Sequence, residues 1–209
     1  MMETIMQSGM LTLRPLYDVI ASHPKEAGEA VPLAERRVYR RAAKDLCVSL
    51  PQEQGFYLWG RFDANGLWRN IYLGKAGFGR TAHLRARLTE ELHDESACLW
   101  VQKIPNEALR GGTPARYLTE YDRAMRKAGA SHIAWVSDPQ LSNDLVRDIE
   151  ADLIETMAPR ANLSRPVPPS HPQEHTHTIV RHFREEIHEA RGNRFPLKDF
   201  PLGVRPGAV

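Results

Sequence analysis

Apolar positions along the chain follow two kinds of spacing, which separate helices from strands. Apolar residues three and four positions apart predict helices over residues 33–50, 81–92, 115–128, 141–157 and 174–191. Runs rich in aromatic and β-branched residues predict strands at 55–62, 68–74 and 132–137. The segment "DANG" between the first two strands predicts a hairpin. The chain therefore contains both kinds of element.

Proline-rich segments divide the chain into three parts. Residues 1–50 form an N-terminal extension with a basic helix, which follows the link "HPKEAGEAVP". Residues 51–165 contain the predicted strands and form the central domain. Residues 166–209 form a Pro-rich linker and a helical tail. The tail helix has an apolar stripe of Ile179, Phe183 and Ile187, which is thin for a dimerising helix, and the oligomeric state is not indicated.

Composition is typical of a soluble globular protein, with 42% hydrophobic and 26% charged residues among 209. No apolar run reaches the roughly 18 residues that a membrane helix needs, so we expect no membrane association. Cys47 and Cys98 are too few for a disulfide framework and lie in apolar surroundings, which favours reduced, buried thiols and a cytoplasmic location. The net charge of +2 permits DNA as a partner, but any basic surface must be local.

One local basic surface is predicted on the first long helix. Its basic residues recur at i, i+1, i+4, i+5 and i+8 and form one stripe: Arg36, Arg37, Arg40, Arg41 and Lys44. Val38, Ala42 and Leu46 line a different face of the helix. A charged stripe is most often a solvated helix face. The functional alternative is a surface that contacts nucleic-acid phosphates.

Glu150 lies where the helix over 141–157 favours an apolar residue. The positions that share its face are mostly apolar: Val146, Leu153, Ile154 and Met157. The other acidic residues of this helix fall mostly on the opposite side, which we expect to face water. A carboxylate turned toward a core costs several kcal/mol unless something pairs with it. A basic side chain, a hydrogen-bond donor or a metal ion would each meet that need.

Tyr57 and Tyr72 lie on the two arms of the predicted hairpin. A turn at Ala64-Asn65 would place Tyr57 opposite Tyr72, and a turn at Asn65-Gly66 would place it opposite Gly74. Both registers put the two phenols on the same face of the sheet, whereas an odd loop or a bulge would separate them. Tyrosines are also ordinary strand residues, so the pair alone does not indicate a site.

Several short motifs in a fixed order resemble the core of the GIY-YIG nuclease family. They are "GFY" at 55–57, "YLG" at 72–74 followed by Lys75, "LRARL" at 84–88, and "EADLIETMAPRAN" at 150–162. The resemblance covers about half of the chain. Phe56 and Leu73 replace isoleucines of the family pattern, and two segments, 76–83 and 94–130, are longer than expected. Because of these insertions Arg85 competes with Arg87 for the family's arginine, and we prefer Arg87.

The resemblance implies an α+β fold, with a small, mainly antiparallel three-stranded sheet and helices packed on it. It also implies a metal-dependent DNA endonuclease. It implies that Glu150 holds one Mg²⁺ or Mn²⁺, in a cleft between its helix and the tyrosine face of the sheet. Arg87 would stabilise the charge on the phosphate, and Tyr72 would orient the water or the phosphate.

Tyr57 is the candidate general base under this resemblance, with Lys75 close enough to favour its phenolate. Gly55 and Gly74 would be structural, Gly74 by allowing a close backbone approach, and Asn162 would fix the end of the Glu150 helix. Arg85 joins the basic stripe as a nucleic-acid contact. Two other interpretations stay open, a buried Glu150–Arg87 ion pair without chemistry and a non-catalytic nucleic-acid-binding module of the same fold.

Overall fold

A computed structural model describes residues 5–22, 33–77, 82–94, 130–160, 162 and 174–191. Within these ranges the elements follow one another as β1 (Gln7–Thr12), α1 (Arg14–Ser22), α2 (Leu33–Cys47), β2 (Gly55–Phe62), β3 (Trp68–Ala76), α3 (Leu84–Asp94), β4 (His132–Ser137), α4 (Asn143–Met157) and α5 (Glu174–Ala190). The fold is α+β, as the sequence predicts. The helix expected over 115–128 lies outside the described residues.

The strands form one antiparallel sheet in the order β1-β4-β2-β3. Strands β4 and β2 are central, and their side chains are buried on both faces, which agrees with their dense apolar sequences. Strands β1 and β3 are the two edges. The hairpin and β4 thus occupy the positions expected from the sequence.

Each face of the sheet packs against its own set of helices. Tyr57, Trp59 and Ile133 point to one face, which we call the tyrosine face, and join a core with α1, α2 and α3. Side chains of the opposite alternation, such as Leu58 and Leu73, join a second core with α4 and α5. Because strand side chains alternate between faces, neighbouring residues of β2 belong to different cores. The sheet separates the two sets of helices.

The sheet has four strands rather than the three that we expected. The fourth is β1, in the N-terminal extension, and it pairs along its whole length with β4. Its sequence, QSGMLT, carries a weak strand signal because of its polar start and Gly9. Gly9 has a packing reason, since a Cβ there would lie 2.6 Å from the Trp135 ring. The short helix α1 was also not predicted.

Helix α2 buries a face one position away from the expected one. Val38 is 48% exposed, whereas Tyr39, Ala43 and Cys47, spaced by four residues, are buried. Ala42 and Leu46 are half-buried at the flank of this face. The expected assignment of Val38 to an apolar face is therefore wrong. Burial also raises the pKa of the Cys47 thiol to about 11, as befits a reduced core thiol. Cys98 lies outside the described residues.

Helix α4 begins at Asn143, after the N-cap Ser142, whose side chain accepts the Leu145 N–H. It ends at Met157, and the C-cap residue Ala158 adopts a left-handed conformation with φ 44°. Asp152 does not face water as expected, because it is buried and accepts a hydrogen bond from Thr176 of α5. Helix α5 in turn buries Ile179, Val180 and Phe183. None of the described helices is long and apolar enough to cross a membrane.

Candidate functional site

The two phenols of the hairpin lie on the same face despite an irregular register. Trp59 pairs with Tyr72 and Tyr57 with Gly74, but Gly60 pairs with Asn70, so Ile71 is a bulge in β3. The tip is an odd loop, closed by the Asp63 N–H and the Leu67 carbonyl at 2.8 Å. Each irregularity alone would separate the phenols. Together the loop and the bulge cancel each other's shift in register, so both rings join the core of the tyrosine face.

Tyr57 is fully buried and hydrogen-bonded to a carboxylate. Its hydroxyl donates to Glu91 Oε1 at 2.5 Å. Burial, above all, together with the negative charge of Glu91 raises the pKa of Tyr57 well above its ordinary value, and Arg87 offsets this only in part. We expected a neighbouring cation to favour the phenolate, but in the structure the tyrosine is a protonated donor.

Arg87 reaches the tyrosines, as preferred from the sequence. Its Nε donates to the Tyr57 hydroxyl at 3.2 Å and its Nη2 to Glu91 at 2.8 Å. Although burial opposes it, these two partners and Tyr72 raise the pKa of Arg87, so the guanidinium is firmly charged. Its side chain is 32% exposed and can be reached by a ligand. Arg85 points elsewhere, with its Nε on the Leu50 carbonyl.

Glu91 is the residue of this group that our sequence reasoning missed. Its side chain is 1% exposed and pairs with both Arg87 and Tyr57. The signal was available in the sequence. Glu91 falls three residues after Leu88 and seven after Leu84, and therefore on the apolar stripe of α3. Glu150 shows the same pattern on α4, a carboxylate among apolar residues of one helix face.

Glu150 and Lys75 form a second pair. Lys75 Nζ lies 2.7 Å from Glu150 Oε2, and each side chain is 22% exposed. The alternative of a Glu150–Arg87 ion pair is wrong, because each of these residues has a different partner of opposite charge. The carboxylate of Glu150 on its apolar helix face is thus paired with a basic side chain, that of the lysine that follows "YLG".

The tyrosine group, with Arg87, and the Lys75–Glu150 pair lie on opposite sides of the sheet. Lys75 follows Leu73 by two residues and shares its face, which α4 covers, whereas Tyr57 and Tyr72 point to the other face. The expected position of Glu150 on the tyrosine face is therefore wrong. Both groups nevertheless meet the edge strand β3 at adjacent positions, Gly74 and Lys75. A ligand that reached both would have to cross this edge.

Gly74 is required by the ring of Tyr57. A Cβ at Gly74 would lie 2.4 Å from the Tyr57 hydroxyl, and a Cβ at Gly55 would lie 2.2 Å from the Val136 carbonyl. Both glycines thus make room for close packing within the sheet. At Gly74 the close approach is that of the phenol itself to the β3 backbone.

Asn162 binds the edge of β3 with both ends of its amide. Leu73 N–H donates to its Oδ1, and its Nδ2 donates to the Leu73 carbonyl, each at 2.9 Å. Asn70, also on β3, donates to the Met157 carbonyl at 2.6 Å. These contacts hold the end of α4 against the hairpin and thereby fix the helix that carries Glu150.

The basic stripe of α2 lies on the solvent side of the helix. Arg37, Arg40, Arg41 and Lys44 are exposed, and the Arg36 side chain lies outside the described part of the structure. Lys44 and Arg85 line the same surface cleft between α2 and α3. This exposure agrees with a solvated face and equally with a phosphate-binding one.

Glu150 could serve as one ligand of a hydrated metal ion. Among the described residues no group of three or more His, Cys, Asp or Glu side chains could hold a metal. Mg²⁺ commonly keeps several waters and takes one or two carboxylates together with substrate phosphate. A single, partly exposed carboxylate fits such a site only with phosphate present.

Comparisons of this chain with protein-family models, with curated proteins and with solved structures find no match.

Proposed function

We propose that this protein is a metal-dependent endonuclease that hydrolyses phosphodiester bonds in DNA with a site of the GIY-YIG type. The observation that carries the proposal is the meeting of Tyr57, Tyr72 and Arg87 at the tyrosine face, where Arg87 bonds the Tyr57 hydroxyl. In this proposal β2, β3 and β4 form the three-stranded core of the family, and β1 is an addition at its edge.

Arg87 would bind the phosphate. Three of its five N–H groups are used by Tyr57, Glu90 and Glu91, so two remain for phosphate oxygens. A planar guanidinium suits bidentate binding of phosphate, and its firm charge persists as negative charge develops on the oxygens. Half-buried Tyr72 would orient the phosphate or the water beside it.

Tyr57 could act as a base only through Glu91. Its proton would first pass from Oη to Glu91 Oε1, and the resulting phenolate could then accept a proton from water. Arg87 contacts both groups and would compensate the negative charge throughout. Because the ring is buried in the free protein, the water must reach it when substrate binds.

Glu150 would hold Mg²⁺ or Mn²⁺, which supplies neutralisation of the phosphate charge when bound. The ion pair with Lys75 holds the carboxylate in place in the free protein. This arrangement requires the substrate to contact the Gly74–Lys75 edge of β3, where both groups can be reached.

A non-catalytic nucleic-acid-binding module is the second candidate. The buried, protonated Tyr57 and the Lys75–Glu150 pair on the other face favour it, since such a module needs neither a base nor a metal. In that case Arg87 and the exposed basic residues of α2 would contact phosphates without cleavage.

The test uses Glu150→Gln beside Glu155→Gln, an exposed glutamate on the same helix as a matched control. We expect wild type and Glu155→Gln to nick supercoiled plasmid with Mg²⁺ and not with EDTA. Glu150→Gln should lose cleavage by roughly 10²-fold or more while still retarding DNA in a gel. DNA binding without any cleavage by wild type, with Mg²⁺ or Mn²⁺, would select the binding module. If wild type neither cleaves nor binds DNA, both candidates are excluded.

A further inference from the structure

A surface cleft between α2 and α3 brings three basic side chains together. Lys44 comes from α2, Arg85 comes from the first turn of α3, and His83 precedes that helix. The cleft has a volume of about 530 Å³, which lies within the usual size of ligand sites. A hydrogen bond between Thr89 of α3 and Cys47 of α2 joins the two helices here. The packing of the fold therefore fixes the position of these basic groups.

The basic side chains of the cleft have donors to offer a ligand. Lys44 is exposed in the last turn of α2 and has no ion-pair or hydrogen-bond partner among the described residues. Arg85 Nε donates to the Leu50 carbonyl at 2.8 Å, which fixes the guanidinium and leaves its four Nη hydrogens unengaged within the described ranges. His83 Nδ1 accepts the Ala86 N–H at 3.2 Å, so in the neutral ring the proton lies on Nε2, which becomes a donor.

An anion in this cleft would be bound by side chains and not by the end of a helix. The backbone N–H groups of residues 84–86, at the start of α3, all donate within the protein. Glu90 is the one acidic residue that lines the cleft in the described part of the chain, and Arg87 Nη1 lies 3.3 Å from its carboxylate. Because this pair compensates the charge of Glu90, Lys44 and Arg85 make the cleft positive.

We propose that this cleft binds a phosphate group of the DNA strand, beside the phosphate that Arg87 would hold. Arg87 donates to Glu90, which lines the cleft, so a strand bound at Arg87 lies next to the cleft. Such a strand can enter the cleft with a phosphate beyond the one that is cut. Lys44 and Arg85 would then neutralise that phosphate, and His83 would donate to it.

The cleft also has an apolar wall. Val48 is 64% exposed and lines the cleft together with Ala86. The sugar or the base of a nucleotide would cover this apolar surface, which is favourable, whereas a free inorganic anion would leave it in water. The cleft therefore suits a nucleotide unit. The choice of DNA rests on the function proposed above, and the cleft adds a contact away from the reacting bond.

The test measures DNA binding and needs no cleavage. Lys44→Gln is the deciding variant, since this side chain has no partner among the described residues whose loss would disturb the fold. His83→Asn removes the imidazole but keeps a residue that caps helices well. Arg147→Gln is the matched control, because Arg147 is 76% exposed on α4, across the sheet, and its removal changes the net charge as Lys44→Gln does. Binding of a short fluorescent DNA duplex is measured in EDTA over a series of salt concentrations.

We expect Lys44→Gln to bind the duplex about five- to tenfold more weakly than wild type at ~0.1 M salt. The slope of log K against log salt should shrink by about 0.9, while Arg147→Gln keeps the wild-type affinity and slope. His83→Asn should weaken binding about two- to tenfold, which corresponds to the loss of one hydrogen bond. Without DNA, Lys44→Gln should melt at the wild-type temperature.

An affinity and slope of Lys44→Gln equal to those of Arg147→Gln would overturn the proposal. Normal binding by His83→Asn would also overturn it, since a single surface lysine would then explain the effect. Inorganic phosphate is the second probe, compared with chloride at equal ionic strength. If phosphate raises the melting temperature of wild type but not of Lys44→Gln, and this variant binds DNA normally, the cleft belongs to a free phosphate compound instead.

Failure of the cleft and failure of the proposed function can be told apart. Weaker DNA binding by Lys44→Gln in a protein that cuts nothing would retain the cleft and reject the nuclease. Unchanged binding by this variant in a protein that cuts plasmid would reject the cleft alone. A wild type that does not bind the duplex would overturn the cleft as a DNA site.

Discussion

Tyr57 holds its proton more tightly than a free phenol does, because its ring is buried and Glu91 accepts its hydrogen. In the unfolded chain the same phenol titrates near pH 10. Between that value and the raised folded pKa, the folded state binds one more proton than the unfolded state. The stability that this proton contributes is complete below about pH 10 and is lost as the pH rises through the folded pKa.

Removing the Tyr57 hydroxyl should abolish this part of the pH dependence. In wild type, the Tyr57 contribution lowers the free energy of unfolding by up to about 1.4 kcal/mol per pH unit above pH 10. In Tyr57→Phe the free energy of unfolding should therefore fall less steeply with pH, by that amount per pH unit. Urea unfolding at several pH values from 8 to 11 measures the difference. Parallel curves for the two proteins would contradict the raised pKa.

Glu91 and Glu90 differ in burial, although both pair with Arg87. Glu91→Gln should lower the free energy of unfolding by about 1.5–3 kcal/mol, because it weakens two charged hydrogen bonds in a buried site. Glu90→Gln should change it by less than about 1 kcal/mol, since that pair is exposed. Equal effects in urea unfolding would mean that the buried group contributes no more than a surface pair.

Strand β3 shows which features the local sequence predicts and which it does not. Its aromatic and β-branched residues predicted the strand, and the stripe Leu84, Leu88 and Leu92 predicted α3. The sequence does not determine the register of the hairpin, because the odd loop and the bulge at Ile71 depend on the pairing of both arms. The face on which α4 packs was missed, since periodicity tells which side of a helix is buried and not which side of a sheet it covers.

The missed strand and the missed acid have different causes. β1 lacked a local signal, and its pairing with β4 comes from tertiary packing around Gly9 and Trp135. Glu91 had a signal of the same kind as Glu150, a carboxylate on an apolar helix stripe, but it lies outside the motifs of the family. The meeting of Tyr57 with Arg87 was predicted, whereas the lysine partner of Glu150 was not.

The Asn162 amide supplies the edge of β3 with the contacts that a further strand would give. Asn162→Ala removes two neutral hydrogen bonds and should lower the free energy of unfolding by about 1–2 kcal/mol. The loss should be local, so amide exchange should accelerate at Leu73 more than at Leu58, which belongs to the central strand β2. Exchange that accelerates equally at both would show a global effect instead.

The tail helix α5 is part of the folded core. Its stripe of Ile179, Phe183 and Ile187 packs against the sheet and α4. Ser8 of β1 also donates to Glu186 of α5 at 2.7 Å, which joins the two ends of the described chain. The apolar surface that a dimerising helix would need is therefore used within the protein.

Truncating Phe183 should destabilise the whole protein. Phe183→Ala leaves a cavity in the core between the sheet and α5 and should cost about 3–5 kcal/mol of unfolding free energy. His177→Ala, on the exposed side of the same helix, should cost less than about 0.5 kcal/mol. Urea unfolding compares the two, and similar values would mean that α5 is not needed for the core.

The pairing of β1 with β4 has a consequence for the order in which the chain can assemble. About 120 residues separate Thr12 from its partner His132. During synthesis the first strand leaves the ribosome long before its neighbour exists, while the β2–β3 hairpin can close as soon as it emerges. Such distant pairings slow folding. Strand β1 can therefore form its native pairing only after β4 has been synthesised.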